Sequence, residues 1–368
     1  MRILYVLTSL GIGGAEKQVI DLAARMSEQG HKVSFLILKH SVEEWPVKGP
    51  VLRLNLAKTA ASLLRGLRFA RSFLALIRPD IVHSHTYPAN LFARLLLIKR
   101  FKEFSRPGLV NTIHNVYEGG WHRMLLYRLT NRWVDRITAV STAAAERFIH
   151  LHAVPAVKIT VLTNGIDTDH FNPDRAQRRR VRNQMLVDKE FVWIAVGRIA
   201  PAKDYPNLLR AFHLLQQAKP ETQLWIAGEG NPASLAIDSD LQNNPAIRWL
   251  GLRYDIAELL DAADGFVLSS AWEGLPIALA EAMAMAKTVV ATDVGGVREL
   301  VGDAGFLVPP RNSEALKDTM QKAMSTPVER RRFLEAAARS RIRQSFSLQS
   351  KVSEWEKLYG QILEGRHA

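Results

Sequence analysis

Gly265-Phe266-Val267-Leu268-Ser269-Ser270-Ala271-Trp272-Glu273-Gly274-Leu275-Pro276-Ile277-Ala278-Leu279-Ala280-Glu281-Ala282-Met283-Ala284 reads as a strand, a short loop and a helix in immediate succession. Residues 265–268 are apolar and end at the Ser-Ser pair. Pro276 stands where a helix would start, a position suited to a residue without an N–H, and strong helix formers follow it. Glu273 therefore falls at the loop–helix junction, with Glu281 about two turns further on. Such a helix start leaves the N–H groups of Gly274, Leu275 and Ile277 free, with a partial positive charge behind them. That is a ready anion site. Two carboxylates beside it cannot hold phosphate themselves, because like charges repel. As acceptor-only groups they suit hydroxyls. Phosphate together with several hydroxyls describes a nucleotide sugar.

Two glutamates at this spacing are ordinarily solvated side chains on an amphipathic helix. Here they are set in Glu-Gly-Leu-Pro and Glu-Ala-Met-Ala, and in that setting they resemble the retaining glycosyltransferases of family 4. The resemblance implies the GT-B fold, an α/β architecture of two Rossmann-like doubly wound domains facing a cleft. It also implies a C-terminal helix that crosses back to the first domain. Matching segments run through nearly the whole chain and are densest from Gly197 to Pro310.

The bulk composition agrees with two α/β domains. A chain of 368 residues is long for one core. An apolar content of 47% excludes a mostly disordered chain. With no cysteine there is neither a disulfide nor a thiolate metal site. The apolar start, Ile3 to Leu7, is too short for a signal peptide and runs into Gly11-Ile12-Gly13-Gly14 and Glu16, so it reads as a first strand. No apolar run is long enough to span a bilayer. The net charge of +13 calls for an anionic partner: nucleic acid, lipid or small molecule.

From the N-terminus, a strand over residues 3–8, a glycine-rich turn, a helix over 15–29 and a strand over 31–38 open a doubly wound fold. Gly11-x-Gly13-Gly14 is a weak dinucleotide fingerprint. The second strand ends in Lys39-His40, where NAD would require an acid for its ribose. By resemblance, Gly13 and Gly14 instead offer backbone N–H groups to donor phosphate or acceptor. In residues 60–79, Leu63, Leu64, Leu67, Leu74 and Ile77 keep helical spacing, with Arg65, Arg68, Arg71 and Arg78 on other faces. Pro79-Asp80-Ile81-Val82-His83-Ser84-His85 is a strand with its loop and matches a recurrent family segment. His83 and His85 read as structural or acceptor-side. A helix over 91–104 carries Arg94, Lys99, Arg100 and Lys102. Residues 58–106 hold ten Lys/Arg against Asp80 and Glu103, an excess of eight. Trp121, Arg123, Tyr127, Arg128, Arg132, Trp133 and Arg136 follow. Basic amphipathic helices with aromatics suit an anionic membrane surface rather than a merely solvated face. His114 closes the strand over 109–113, and the resemblance places it in the donor-sugar site near the reacting carbon.

The expected domains are residues 1–172 on the acceptor side, a polar linker over 173–189, a nucleotide-sugar-binding domain over 190–345, and a returning helix over 346–368. The second domain opens with the strand Phe191 to Val196. Gly197-Arg198 and Lys203 follow near its C-terminal end, where α/β folds bind ligands. Arg as a planar fork and Lys as a point charge both suit phosphate. The family usually has Gly after this lysine; here Asp204 follows. The Leu252-Arg253-Tyr254-Asp255 loop falls where the family contacts the base, which brings Arg253 into the donor set. Asp-x-Asp occurs at Asp167-Thr168-Asp169 and at Asp238-Ser239-Asp240, neither in the context of a metal-binding motif, so no catalytic metal is expected.

By resemblance, Glu273 binds hydroxyls of the transferred sugar and Glu281 those of the ribose. Arg198, Lys203 and the helix start at Gly274, Leu275 and Ile277 offset the diphosphate charge. The catalytic set is then His114, Arg198, Lys203 and Glu273. The expected reaction is retaining transfer from a nucleotide sugar, UDP-sugars ranking first and GDP-mannose second. The expected acceptor is a lipid-linked or lipopolysaccharide, O-antigen or capsule saccharide, at the inner face of the cytoplasmic membrane. A GT-B nucleotide-sugar epimerase or a sugar phosphorylase stays open as a second enzyme class. A basic nucleic-acid binder accounts for the charge but not for the ordered motifs, and the chain has no recognition motif for it.

Overall fold

The computed structural model describes residues 1–98, 105–173 and 178–367. The chain divides into two compact units, Met1–Gly165 with Leu348–Ala368, and Ile166–Ser347.

In the first unit the order is β1 (Arg2–Leu7), α1 (Gly14–Glu28), β2 (Lys32–Ile37), β3 (Val51–Arg53), α2 (Ala60–Ile77), β4 (Ile81–His85), α3 (Tyr87–Leu96), β5 (Gly108–Ile113), α4 (Trp121–Thr130), β6 (Arg136–Ala139), α5 (Thr142–His150) and β7 (Ile159–Val161). The strands form one parallel sheet in the order β3-β2-β1-β4-β5-β6-β7. Side chains alternate across a strand, so Ile3, Tyr5 and Leu7 join one buried cluster while Leu4 and Val6 join another. Both faces must be covered, which explains the continuous apolar runs. Leu74, Phe92, Tyr127 and Phe148 cover the face of Leu4 and Val6.

The second unit continues with α6 (Arg178–Gln184), β8 (Phe191–Val196), α7 (Tyr205–Ala218), β9 (Thr222–Ala227), α8 (Ser239–Gln242), β10 (Ile247–Gly251), α9 (Ile256–Ala262), β11 (Gly265–Leu268), α10 (Ile277–Ala284), β12 (Thr288–Thr292), α11 (Val297–Val301), β13 (Phe306–Val308), α12 (Ser313–Met324) and α13 (Val328–Ser345). Its parallel sheet has the order β10-β9-β8-β11-β12-β13. Helix α14 (Leu348–His367) belongs to the first unit, where Val352, Trp355, Leu358, Tyr359 and Ile362 pack with Tyr5 and Phe35.

In both sheets the chain starts in the middle, winds to one edge and then returns to wind to the other. The reversal falls between β1 and β4 in the first sheet and between β8 and β11 in the second. At such a switch point the loops leaving the two strands run in opposite directions and open a crevice outside their C-terminal ends.

Three sequence expectations change. The polar stretch over 173–189 contains α6, because Arg178 and Arg182 pair with Asp264 and Val181 and Val187 are buried. Its Asp174 lies outside the described residues, as do Lys99, Arg100, Lys102 and Glu103 of the basic segment. Arg94 is not a surface charge. It is fully buried, and its guanidinium is held by Asn111, Thr130, Asn131 and the carbonyl of Tyr127. Leu64 is 67% exposed rather than part of the core.

Candidate active site

The two loops at the second switch point carry Arg198 and Lys203 after β8, and Ser270 and Glu273 after β11. They are tied together directly. The amide of Ala271 donates to the carbonyl of Ala202 at 2.8 Å, and the Ser269 hydroxyl to the carbonyl of Lys203 at 2.7 Å. Lys203 Nζ lies 2.7 Å from Glu273 Oε1, and Ser270 Oγ donates to the same oxygen at 2.6 Å. The lysine expected on phosphate and the glutamate expected on sugar hydroxyls are thus one ion pair.

The backbone around the pair leaves little room. Lys203 lies over Gly197, where a Cβ would come within 2.8 Å of Lys203 Cε. A Cβ on Gly228 would come within 2.0 Å of the Gly197 carbonyl oxygen, which also accepts the Tyr205 hydroxyl at 2.6 Å. Asp204 adopts the left-handed conformation, φ 47° and ψ 48°. Asp tolerates this conformation better than most residues, so the position where Gly is usual keeps a turn that Gly would also supply. On the other side, Gly295 has φ +55°, and a Cβ there would stand 2.0 Å from the Glu273 carbonyl oxygen. The amide of Gly296 donates to the Gly274 carbonyl at 2.8 Å.

Helix α10 begins at Ile277, with Pro276 as its cap rather than its first residue. The backbone donors without an intrahelical acceptor are therefore those of Ile277, Ala278 and Leu279. Gly274 and Leu275 lie in the loop before it, and Leu275 is buried. The helix thus starts one residue later than the sequence suggests, since Pro276 has an extended rather than helical backbone. Glu273 and Glu281 are both buried. Arg198 is exposed and makes no ion pair with any described residue. Arg253 pairs through two hydrogen bonds with Asp255, in the loop after β10, two strands from β8.

In the first unit, Gly13 caps α1 and Gly14 is its first residue. The switch-point loops are joined by Thr8 Oγ1 and Thr86 Oγ1 at 2.9 Å. His83 is fully enclosed, its two ring nitrogens bonded to Tyr359 of α14 and to Thr112, each at 2.7 Å. It therefore holds α14 on the sheet. His85 Nδ1 lies 2.9 Å from His114 Nε2 at the ends of β4 and β5. Burial pushes all three histidines below the usual imidazole range, His114 to about 4.

Two residues of these sites carry no recognisable signal in the sequence, Ser270 and Glu118. The Glu118 carboxylate accepts the Tyr127 hydroxyl at 2.7 Å and lies 3.4 Å from the amide of His114. Burial pushes it up to about 7. A lone glutamate in an irregular loop carries no spacing signal that could have marked it.

The sequence profile of Glycosyltransferase Family 4 matches residues 12–170, and that of Glycosyl transferases group 1 matches residues 177–341. The chain is 25% identical over 321 residues to the Escherichia coli UDP-Gal:alpha-D-GlcNAc-diphosphoundecaprenol alpha-1,3-galactosyltransferase, covering 81% of this chain and 80% of that one. It is 27% identical over 259 residues to the lipopolysaccharide core biosynthesis mannosyltransferase LpsB of Rhizobium meliloti, covering 66% and 69%. Among solved structures it is similar to Anabaena Alr3699/HepE in complex with UDP and glucose, with a TM-score of 0.83 at 21% identity over 98% of this chain and 100% of that one.

Proposed function

We propose a retaining glycosyl transfer from a nucleotide sugar on one premise: the chain belongs to glycosyltransferase family 4 and has the GT-B fold. It is a glycosyltransferase of class EC 2.4. The observation that carries the finer reading is the Lys203–Glu273 pair at the second switch point, with Arg198 in the same loop after β8 and α10 starting just after Glu273. Transfer from a nucleotide sugar needs a stabilised diphosphate leaving group. Arg198, Lys203 and the α10 N-terminus meet that charge as preorganised electrostatics, each donor worth about 2.7–4 kcal/mol of barrier. No divalent metal is then required.

Glu273 receives hydroxyls of the transferred sugar. One of its oxygens is already committed to Lys203 and Ser270. A carboxylate so engaged is a weak nucleophile, which favours a route without a covalent glycosyl-enzyme. The proton of the incoming hydroxyl leaves through the diphosphate on the same face of the sugar. Glu281 holds the ribose hydroxyls. UDP-sugars are proposed ahead of GDP-mannose, supported by the donor named for the Escherichia coli relative and the UDP in the Anabaena complex.

The proposed acceptor is a lipid-linked or lipopolysaccharide saccharide, as the names of the two relatives suggest. Among the described residues no helix is long and apolar enough to cross a membrane. The proposed contact is with an anionic bilayer surface at the cytoplasmic face, and α4 supports it. Trp121, Leu125 and Leu129 recur at every fourth position and are exposed, Trp121 at 78% and Leu129 at 60%. Exposed Arg128 and Arg132 accompany them, and neither α4 nor α2 contains an acidic residue.

The test is product analysis. The chain is incubated with a UDP-sugar and a polyprenyl-diphosphate saccharide, with and without EDTA, and the new anomeric centre is read by NMR. Retained configuration unaffected by EDTA supports the proposal. Inverted configuration, or activity abolished by EDTA and restored by a divalent cation, overturns it.

A further inference from the structure

His85 and His114 share one hydrogen bond between two ring nitrogens, 2.9 Å apart. Both rings are kept neutral by burial. One nitrogen must carry the proton and the other must accept it, so two arrangements exist. In the first, His85 Nδ1–H donates to His114 Nε2. His85 Nε2 is then a bare lone pair, and His114 carries its proton on Nδ1. In the second, His114 Nε2–H donates to His85 Nδ1. His85 must then carry its proton on Nε2.

The surroundings of His85 decide between them. Its Nε2 is buried and has no hydrogen-bond partner among the described residues. The neighbouring rings supply none: His83 lies 4.0 Å away centre to centre with both its nitrogens engaged elsewhere, and the Tyr5 hydroxyl, though buried nearby, makes no hydrogen bond to it. The second arrangement would strand a buried N–H donor. The first strands only an acceptor lone pair. Orphaned buried donors are the rarer and costlier case. His114 is half-buried, and its Nδ1 has no partner among the described residues.

We infer that His85 is a positioning residue that fixes His114 as the Nδ1–H tautomer, so that His114 presents a neutral hydrogen-bond donor to a substrate oxygen. In this form His114 cannot serve as the base that takes the acceptor's proton, because the nitrogen it offers already bears one. The oxygen it meets is a sugar hydroxyl or a phosphoryl oxygen. This role rests on the expectation that His114 serves the proposed transfer reaction; the tautomer itself does not.

The experiment is long-range proton–nitrogen correlation NMR on the full chain labelled with ¹⁵N-histidine, without substrate, with signals assigned from His85→Asn and His114→Phe. The expected spectrum shows His114 with a bare Nε2 and a protonated Nδ1. A His114 protonated on Nε2 overturns the inference at once, whatever the activity. In His85→Leu, His114 should become a mixture of tautomers. Turnover should then fall on the order of tenfold at unchanged donor KM, the loss of one neutral hydrogen bond in the transition state. His85→Asn keeps a donor N–H toward His114 and should restore both. Turnover unchanged in both His85→Leu and His114→Phe, with the tautomer as expected, would refute the positioning role of His85 and any part of His114 in transfer, leaving the donor reading of the second unit standing.

Discussion

Replacing Lys203 by Met tests whether the Lys203–Glu273 pair is a working part of the second unit. The two groups lie 2.7 Å apart, with side chains 22% and 11% exposed. Breaking a fully buried pair costs about 3–5 kcal/mol, and a charged hydrogen bond contributes about 1.5–3 kcal/mol. Partial exposure of the lysine places the expected loss near the lower range, about 2 kcal/mol. Ser270 would remain the one hydrogen bond identified to Glu273 Oε1. For a unit of this size each kcal/mol moves Tm by about 2–4 °C, so calorimetry should show the transition of the second unit lowered by about 4–8 °C. Glu273→Gln should cost less, because it leaves a buried amide rather than an unpaired charge. The double variant should recover about 1 kcal/mol or more of the summed loss, since residues in contact do not add. Transfer should fall about 10²–10³-fold in Lys203→Met, the loss of one preorganised charge. A Tm within 1 °C of the parent, or strictly additive losses, would refute the reasoning.

Other consequences follow from single residues. Glu118 is pushed up to about 7 from 4.5, so between those values the native state keeps a proton that the unfolded chain has lost. Stability therefore falls as pH rises through that window, by about 3 kcal/mol from this group alone. Glu118→Gln, which still accepts the Tyr127 hydroxyl, should flatten that decline in Tm-against-pH profiles; an unchanged slope would refute the burial argument. Gly295→Ala should destabilise by about 1–2 kcal/mol or more through its left-handed backbone alone, and should cut transfer further by displacing Glu273. Full activity in this variant would show that the Glu273 loop is free to move. Trp121→Ser with Leu129→Ser should abolish flotation with anionic vesicles while leaving transfer to a soluble acceptor intact, and unchanged flotation would count against α4 as the docking face.

Much of the fold was legible because α/β chains repeat a local pattern. Residues 3–7, 191–196 and 265–268 announce buried strands by composition alone, and the loops after the latter two bear the charged groups. What was hidden required contacts distant in sequence. Strand β3 has three residues next to Gly49-Pro50 and is defined by its pairing with β2. Helix α6 reads as a charged linker until Asp264 is brought to its arginines. Arg94 looks like one charge in a basic run, yet the fold closes over it through partners as far away as Asn131. The Lys203–Glu273 pair joins two motifs 70 residues apart, each readable separately. Their contact follows from β8 and β11 being neighbours, which only the strand order reveals.

The central claim is that the second unit binds a nucleotide sugar through Arg198, Lys203, Glu273 and Glu281. A thermal-shift panel of UDP-, GDP- and ADP-sugars, with and without EDTA, on the parent chain and on Glu281→Ala tests it most directly, since a ligand that binds the native state raises Tm by mass action. The account predicts that one nucleotide, UDP first, raises Tm independently of EDTA, and that the shift shrinks strongly in Glu281→Ala. A shift equal in both proteins, or one abolished by EDTA, would contradict it.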